Sequence, residues 1–492
     1  MVMVKQYPEH VYLEEAVSIL KDAFKSLRGL FYTELNIAEA LGHTLTADIT
    51  AGRNVPHYAA SAVDGYAIDA AATIGASPAT PKRIKSGDYA WMNTGADVPQ
   101  QANAVLMVED SSLDGEDLMV LKTLTPSANI RPLGEDVMAG QIIAREGEVV
   151  SPALISLFLC AGIDRVPVAR KPKALFIPTG DEIIAKEMWL ADTKPKSGTV
   201  AESNSLFIEA SFRNWGYEVD ISPILPDNAE ILKEKVEYGA EKYDLVLVGA
   251  GSAKGKRDHT LEVLEQSGNI LFRWLRLSPG RSAIAAAVRG KPVICLPGFP
   301  MSTTVVLWGL VYPLLAFLSS EEEELTPLVK KAISAKETRS AKLLVQHSSP
   351  AGIREWLRVK TAVVGGVLFS WALTSGASVL WALAESDGIA LLPPSALECE
   401  KGMDIDVWMT RTVDFNKRIL FQGSDDPAIQ LLVTPIRKRG GDLVSRAVGS
   451  MGGLAAMGRG ECHVAAEHLL DDRDGTYNDS LIEKFSGGSE GH

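Results

Sequence analysis

The chain has 492 residues, 62 of them acidic against 49 basic, for a formal charge of −13 and an isoelectric point near 5.3. Nucleic-acid binders carry a basic surplus or stripe, so this balance argues against one, and any anionic ligand must be held by local cations or a metal. The length allows about three or four domains with their own cores, and the four cysteines, Cys160, Cys295, Cys399 and Cys462, form no Cys-x-x-Cys pair, which fits a reducing cytosol and suggests neither a zinc site nor a disulfide framework.

The first residues reach Pro8 and Glu9 before an apolar segment can form, so no ordinary signal peptide is expected. Over 11–27, Val17, Leu20, Phe24 and Leu27 recur at helical spacing with Glu14, Glu15, Lys21 and Asp22 between them, which predicts an amphipathic helix. From about 50 to 150, short apolar stretches at 104–108, 118–121 and 141–143 alternate with Gly, Pro, Asp and Asn clusters, the texture of a small strand-rich domain.

Between about 172 and 320, strands alternate with helices. Strands are expected at 173–177, 217–221, 245–248 and 292–296; one helix begins near Ser205, and another follows Asp227-Asn-Ala-Glu230, which has capping-box spacing. This series predicts a doubly wound, mostly parallel sheet, with ligands outside the carboxyl ends of its strands. Those ends read Thr179-Gly-Asp-Glu182, Gly249 to Asp258 and Pro297-Gly-Phe-Pro300. The apolar run 305–318, with Pro313 inside it, is short for a membrane span and is expected to be a buried helix.

Glu321 to Glu324, followed by Pro327, reads as a solvated linker. Residues 328–410 are again strand-rich. Beyond 413, short strand and helix elements return at 418–421 and 425–433, before a Gly/Ser-rich tail from Ser486 that is expected to be disordered.

The residues with most chemical content are Val246-Leu-Val-Gly-Ala-Gly-Ser-Ala-Lys-Gly-Lys-Arg-Asp258. A short apolar strand running into bare glycine amides suits an anion. The loop has neither the Walker ending nor the dinucleotide fingerprint, and a tight turn without a ligand is the competing reading. Acids accompany glycines in three further loops, Ser61-Ala-Val-Asp-Gly-Tyr66, Gly134-Glu-Asp136 and Gly180-Asp-Glu182. Singly these are turn formers; converging on an amide-lined loop, they would suit a divalent metal bridging a phosphate.

The ordered motifs resemble the molybdopterin molybdenumtransferase family, the molybdenum insertases that include the E domain of gephyrin. The resemblance covers about 10–410 and rests on Ser-Ala-Val-Asp-Gly-Tyr-Ala (61–67), Asn-Thr-Gly-Ala (93–96) with Ala-Asn-Ala-Val-Leu-Met-Val-Glu-Asp (102–110), and Ile-Arg-Pro-Leu-Gly-Glu-Asp (130–136). It continues through Pro-Thr-Gly-Asp-Glu (178–182), Glu-Ser-Asn (202–204), the loop to Asp258, Pro-Gly-Arg (279–281) and Leu-Pro-Gly-Phe-Pro (296–300). The fold it implies is a multidomain α/β chain. An elongated helical and extended domain (1–50 with 136–171) carries an inserted strand-rich domain (51–135). A molybdopterin-binding-like parallel-sheet domain (172–320) and a small β domain (325–412) follow.

The activity implied is insertion of molybdate into adenylylated molybdopterin with release of AMP, in the cytoplasm and with magnesium as cofactor. Partners are the small pterin and oxyanion substrates, with no nucleic acid and no membrane; the enzyme would be an elongated homodimer whose site lies between the parallel-sheet domain of one subunit and the inserted domain of the other. A transient contact with the adenylylating enzyme of the same pathway fits this role. By resemblance the catalytic residues are Asp64, Thr94, Glu182 and Asp258, with Asp258 also the metal ligand. The substrate-binding residues are Asp136, Asp181, Ser203, Asn204, Gly251, Ser252, Gly255, Pro279, Gly280, Arg281, Pro297 and Gly298, with Glu135 nearby. Arg281 is the best candidate cation, because a guanidinium can fork onto two oxygens of an oxyanion.

The chain departs from the family pattern at Ser278, where lysine is common, and at Ala253, where serine is usual; Lys254 and Lys256 occupy positions more often apolar or acidic. These departures leave a catalytically weakened pterin-binding or scaffolding protein as an alternative to the insertase, and a tungstate insertase is a second, because molybdate and tungstate have similar shape and charge. Residues 413–492 resemble the opening of a periplasmic-binding-protein-like domain, truncated within its first lobe, with oxyanion sensing as a remote alternative role. His463, Glu467 and His468 there do not have the spacing of a metal cluster on one helical face and read as structural.

Overall fold

The computed structural model describes residues 7–249, 259–321, 323–374, 376–470 and 475. They fall into two compact units, one of residues 1–29 with 171–492 and one of residues 30–170.

The first unit is built on a seven-stranded sheet. Its parallel half holds Lys291–Leu296, Leu245–Gly249, Lys173–Pro178 and Glu218–Ile221, in that spatial order. Near-continuous apolar sequence in three of these strands is what burial on both faces demands. Leu175, Ile177, Val246, Val248, Val293 and Cys295 pack on one face against Leu232 and Val236 of the helix Ala229–Lys242 and Val263 and Leu264 of Thr260–Ser267. The helices Asn204–Trp215 and Pro300–Val306 serve the other face. The sheet continues into two antiparallel strands, Ile284–Val288 and Gly268–Leu275, and ends at Glu9–Val11, which runs parallel to the latter.

That last pairing corrects the expected start of the elongated domain. The helix Leu13–Ala23 buries Leu13, Ala16, Val17 and Leu20 within the sheet unit, and a short 3-10 turn, Lys25–Leu27, ends it. Gly309 allows the close approach: a Cβ there would lie 2.9 Å from a Leu13 methyl.

The apolar segment forms a 19-residue helix, Pro300–Leu318, 94% of whose apolar window is buried in the protein. Its middle, Leu307–Val311, is a π turn directly ahead of Pro313. Proline cannot donate its missing N–H, and widening the turn absorbs that loss without breaking the helix.

The capping expectation is corrected by one residue. Asn228, not Asp227, caps 229–242, accepting from the amides of Glu230 (2.9 Å) and Ile231 (3.1 Å), while Asp227 N donates to Asp181 Oδ1 at 3.2 Å. The acidic run is also more than a linker: Glu321 and Glu323 both pair with Lys331 of the helix Leu325–Ala332.

Beyond that helix, five strands close into a small barrel. Arg354–Val364 pairs with Val367–Ala372 and with Gly388–Leu392; Asp404–Met409 and Glu337–Leu343 complete the circuit. Closure satisfies both edges of every strand. A short strand from the sheet domain, Leu277–Ser278, joins the barrel with Ser278 in register with Glu355.

The C-terminal elements are a three-stranded parallel sheet, with Arg418–Gly423 central between Asp442–Ala447 and Val464–Ala466, and with helices Pro427–Lys438 and Ser450–Gly458. This segment leans on the barrel: Leu420, Val444, Ala456 and Cys462 share one core with Leu344, Ala362, Val364 and Trp371. The tail expected to be disordered lies outside the described residues.

The second unit is built on two larger cores, with smaller clusters around Ala51, Val137 and Ala161 and around Ala67, Met92 and Val105. Ile37, Leu45, Ile49, Leu154, Phe158, Val166 and Val168 build one around the helix Pro152–Cys160 and the pair Tyr32–Asn36 with Arg165–Ala169. Ile68, Ile84, Leu106, Leu118 and Val120 build the other from short antiparallel strands between 60 and 131.

Candidate functional site

The parallel strands fix the height at which their loops emerge. Pro178, Gly249 and Leu296 are register partners in three adjacent strands, so 179–182 and 297–300 leave one edge at one level, on either side of the strand that ends at Gly249. Gly251, Ser252, Ala253, Lys254, Gly255, Lys256 and Asp258 lie outside the described residues.

The flanking loops are tied to the same edge. Thr179 Oγ1 donates to the carbonyl of Gly249. Gly180 has φ +138°, and a Cβ there would meet the Glu182 carboxylate at 2.8 Å, so the turn that folds Glu182 back requires glycine. Asp181 and Glu182 are exposed. Ser203 sits at the start of the helix 204–215, whose Asn204 Nδ2 donates to Gly298 O at 3.0 Å; Pro297 O accepts from Thr303 Oγ1. Asn204, Pro297 and Gly298 therefore come together.

Four residues beyond Gly298, Ser302 opens onto a cleft of about 630 Å³ between the sheet domain and the barrel. The sheet domain contributes Trp274, Ser278, Pro279, Gly280, Arg281 and Ser302; the barrel side contributes His347, Glu355, Arg358, Gly376 and Ala377. Gly280 has φ +116°, and a Cβ on it would press Leu277 and Val306 at 3.2 Å, so the turn lies directly on the helix 300–306. Met301 N donates to Ala377 O at 2.9 Å, locking the helix start to the barrel loop.

His347, Glu355 and Arg358 were missed by sequence reasoning. Arg358 is only 3% exposed. Its Nη1 donates to Trp356 O at 3.0 Å and Nη2 to Thr374 O at 3.3 Å, while Nε has no partner among the described residues. Burial pulls its guanidinium below the ordinary value, against the opposing charge of Glu355. His347 Nε2 lies 2.9 Å from Glu355 Oε2. Glu355, Arg358 and Lys360, alternating with Trp356, Leu357 and Val359 in one strand, were the available signal, since a buried charge in a strand needs a partner or a ligand.

In the second unit, Asp64 Oδ1 accepts from Thr94 N at 2.7 Å and from Thr94 Oγ1 at 3.0 Å, and both side chains are exposed. The motifs interlock through the backbone: Gly95 N donates to Ser61 O at 2.7 Å, and Ile130 pairs with Ser61. Gly65 is obligatory there, because a Cβ would fall 1.9 Å from Leu106 O. Glu135 pairs with Arg131 at 2.5 Å, and Asp136 is exposed, its amide donating to Val55 O.

Among the described residues no group of three or more His, Cys, Asp or Glu side chains could hold a metal. His463 Nδ1 instead accepts from Leu420 N at 2.9 Å, a structural role. The four cysteines are free.

Comparison with known proteins gives three family matches: a MoeA N-terminal region (domain I and II) at 11–162, a "Probable molybdopterin binding domain" at 175–316, and a PBP superfamily domain at 435–491. Molybdopterin molybdenumtransferase 2 of Mycobacterium tuberculosis is 26% identical over 394 residues, 76% of this chain and 93% of the relative. Molybdopterin molybdenumtransferase of Staphylococcus epidermidis is 26% identical over 410 residues, 78% of this chain and 93% of the relative. A solved molybdopterin biosynthesis moeA protein from Pyrococcus horikosii is 25% identical, with a TM-score of 0.48 over 82% of this chain and 100% of the other.

Proposed function

The chain belongs to the molybdopterin molybdenumtransferase family, with a PBP-like segment at its C-terminal end, and from that premise we propose that it inserts molybdate into adenylylated molybdopterin and releases AMP. A transferase role in molybdenum cofactor biosynthesis follows from the relatives; the substrate form and the AMP step are this reading's own. The observation that carries it is the cleft in which Arg281 and the buried Arg358 face Ser278 and Ser302.

A cleft lined by two arginines and two serines suits a tetrahedral oxyanion or a phosphate. Arg358 is held in place by carbonyls, so it can meet negative charge without reorganising, which is what stabilises charge developing on a cleaving phosphoanhydride. Asn204, Pro297 and Gly298 at the sheet edge would seat the pterin end, with Asp181, Glu182 and Ser203 beside them. Gly251, Ser252 and Gly255 would cradle the phosphates. Magnesium enters this reading through Asp258, outside the described residues, where it would neutralise phosphate charge; the described residues alone do not form a site for it.

In a homodimer the inserted domain of one subunit would bring Asp64, Thr94 and Asp136 to the cleft of the other. The test is AMP release from adenylylated molybdopterin by purified protein, with and without molybdate and magnesium, coupled to reconstitution of a cofactor-free molybdoenzyme. Molybdate-dependent release with reconstitution supports the insertase. Tight pterin binding without release overturns it in favour of a binding protein.

A further inference from the structure

The strand Arg354–Val364 changes neighbours partway along. Residues 355–359 pair with 392–388, and residues 359–364 pair with 372–367. Lys360 and Thr361 thus lie past Gly388, where the first partner ends, and side chains complete the Thr361 backbone there. Thr361 N donates to Asp387 Oδ2 at 2.8 Å, and Thr361 O accepts from Arg418 Nη1 at 2.9 Å. The same Nη1 donates to Asp387 Oδ2 at 2.5 Å. Thr361 and Asp387 are both 0% exposed, so water does not stand in for these partners. Arg418 opens the central strand of the C-terminal segment, whereas Arg358, three residues before Thr361, lines the cleft. Arg358, Lys360, Ala362 and Val364 alternate onto one face, and the last two share a core with Leu420 and Val444. One strand therefore runs from beneath the C-terminal segment into the cleft wall.

We propose that Arg418 is a positioning residue for the oxyanion cleft, acting through Thr361 and Asp387 on Arg358, and that the C-terminal segment is thereby part of the cleft's support. This rests on the oxyanion reading of the cleft. Arg358 is aimed by two carbonyls, Trp356 O on its own strand and Thr374 O, so its place follows the strand. Without Arg418, Thr361 O loses its donor and the Asp387 carboxylate loses the nearer of its two cations, since Lys360 Nζ lies 3.3 Å from Oδ1. The strand is then released three residues from Arg358, and a site whose supporting groups loosen by about 1 Å binds less well. A second link runs from the same point. Lys360 Nζ donates to Glu385 O at 2.7 Å, at the end of the helix Leu380–Glu385. Ala377, just ahead of that helix, lines the cleft and accepts from Met301 N.

The test uses the full chain and molybdate alone as probe, titrated calorimetrically, with circular dichroism to show that each variant is folded. Arg418→Met should bind roughly tenfold more weakly than wild type, the scale on which residues that act through a network change a distant site. Leu420→Ala opens the core between the same segment and the barrel without touching Thr361 or Asp387, and should bind as wild type does. In an Arg358→Lys background, Arg418→Met should weaken binding no further, because the group it positions is already altered; a residue with a merely structural role would add its loss in full. Lys360→Met cuts the neighbouring link and carries the same expectations if Arg418→Met does not fold. Wild-type affinity in the variant, equal losses in it and in Leu420→Ala, or additive losses with Arg358→Lys overturn this assignment and leave the oxyanion cleft standing. Absence of molybdate binding by the wild type overturns both.

Discussion

Asp64 holds Thr94 twice through one oxygen, at 2.7 Å from the amide and 3.0 Å from the hydroxyl, on a surface where neither side chain is buried. An exposed carboxylate ordered in this way does little for the core, so its value lies in presenting its charge. Asp64→Ala should lower AMP release by about a hundredfold or more, on the scale of losing one preorganised polar group at a reacting centre. Its unfolding free energy should change by about 1 kcal/mol or less, the net worth of exposed hydrogen bonds. Steady-state kinetics and urea denaturation of the same preparation check both. A large stability loss with intact turnover would make Asp64 structural.

The C-terminal segment is fastened to the barrel by charge. Arg418 donates to Asp387 Oδ2 and, at 2.7 Å, to Asp442 Oδ2; Asp387 also accepts from Thr361 N and Oγ1 and pairs with Lys360. Asp387 is fully buried, so removing its partner strands a carboxylate in low dielectric. Arg418→Met should destabilise the unit by about 3–5 kcal/mol, the cost of breaking a buried pair from one side. Chemical denaturation measures this, and a change within the surface range of about 0.5 kcal/mol would mean that Lys360 and Thr361 suffice.

Acid should loosen the same attachment. Burial alone would push the Asp442 carboxyl up, but the charge and hydrogen bonds of Arg418 and then Arg437 outweigh it and hold Asp442 below the ordinary carboxylate value. Glu461 is held low against its own burial by Arg459 and Lys401. A folded-state value below the unfolded one gives stability that is present above the unfolded carboxylate range, near about pH 4, and is lost as pH falls through the folded values. The midpoint of urea unfolding should therefore drop more steeply below about pH 4 for wild type than for Arg418→Met. Parallel curves for the two proteins would refute the assignment.

The sheet was legible because its strands are apolar runs that end in glycine and proline, and because their loops are the motifs themselves. Ile284-Ala-Ala-Ala-Val288 was not legible, since alanine has little strand preference and only the neighbours at 268–275 and 291–296 make it a strand. The site was half legible. Ser278 to Arg281 and Asn204 with Gly298 follow from loops that announce themselves in sequence. Arg358 and His347 could not be placed, because the register that sets Ser278 beside Glu355 is a long-range pairing that no local pattern encodes.

Gly280 offers a test of how far the cleft depends on that loop. Its φ of +116° is a conformation that other residues rarely adopt, and an added methyl would press Leu277 and Val306 at 3.2 Å. Gly280→Ala should cost about 1–3 kcal/mol as backbone strain and, by shifting Arg281, weaken molybdate binding. Arg281→Ala should reproduce the binding loss without the stability loss. Equal binding by Gly280→Ala and wild type would detach the loop from the oxyanion site.

The proposed homodimer makes a sharper demand, because each site would draw Asp64 from one subunit and Arg358 from the other. Asp64→Ala and Arg358→Ala proteins should each be inactive alone. Mixed in equal amounts under conditions that exchange subunits, half of the dimers are heterodimers, and each of these has one intact and one doubly altered site. Activity should then recover to about one quarter of the wild-type value, as two-fold symmetry requires. A site completed within one subunit would give no recovery, and a chain that sediments as a monomer while active would rule out the shared site outright.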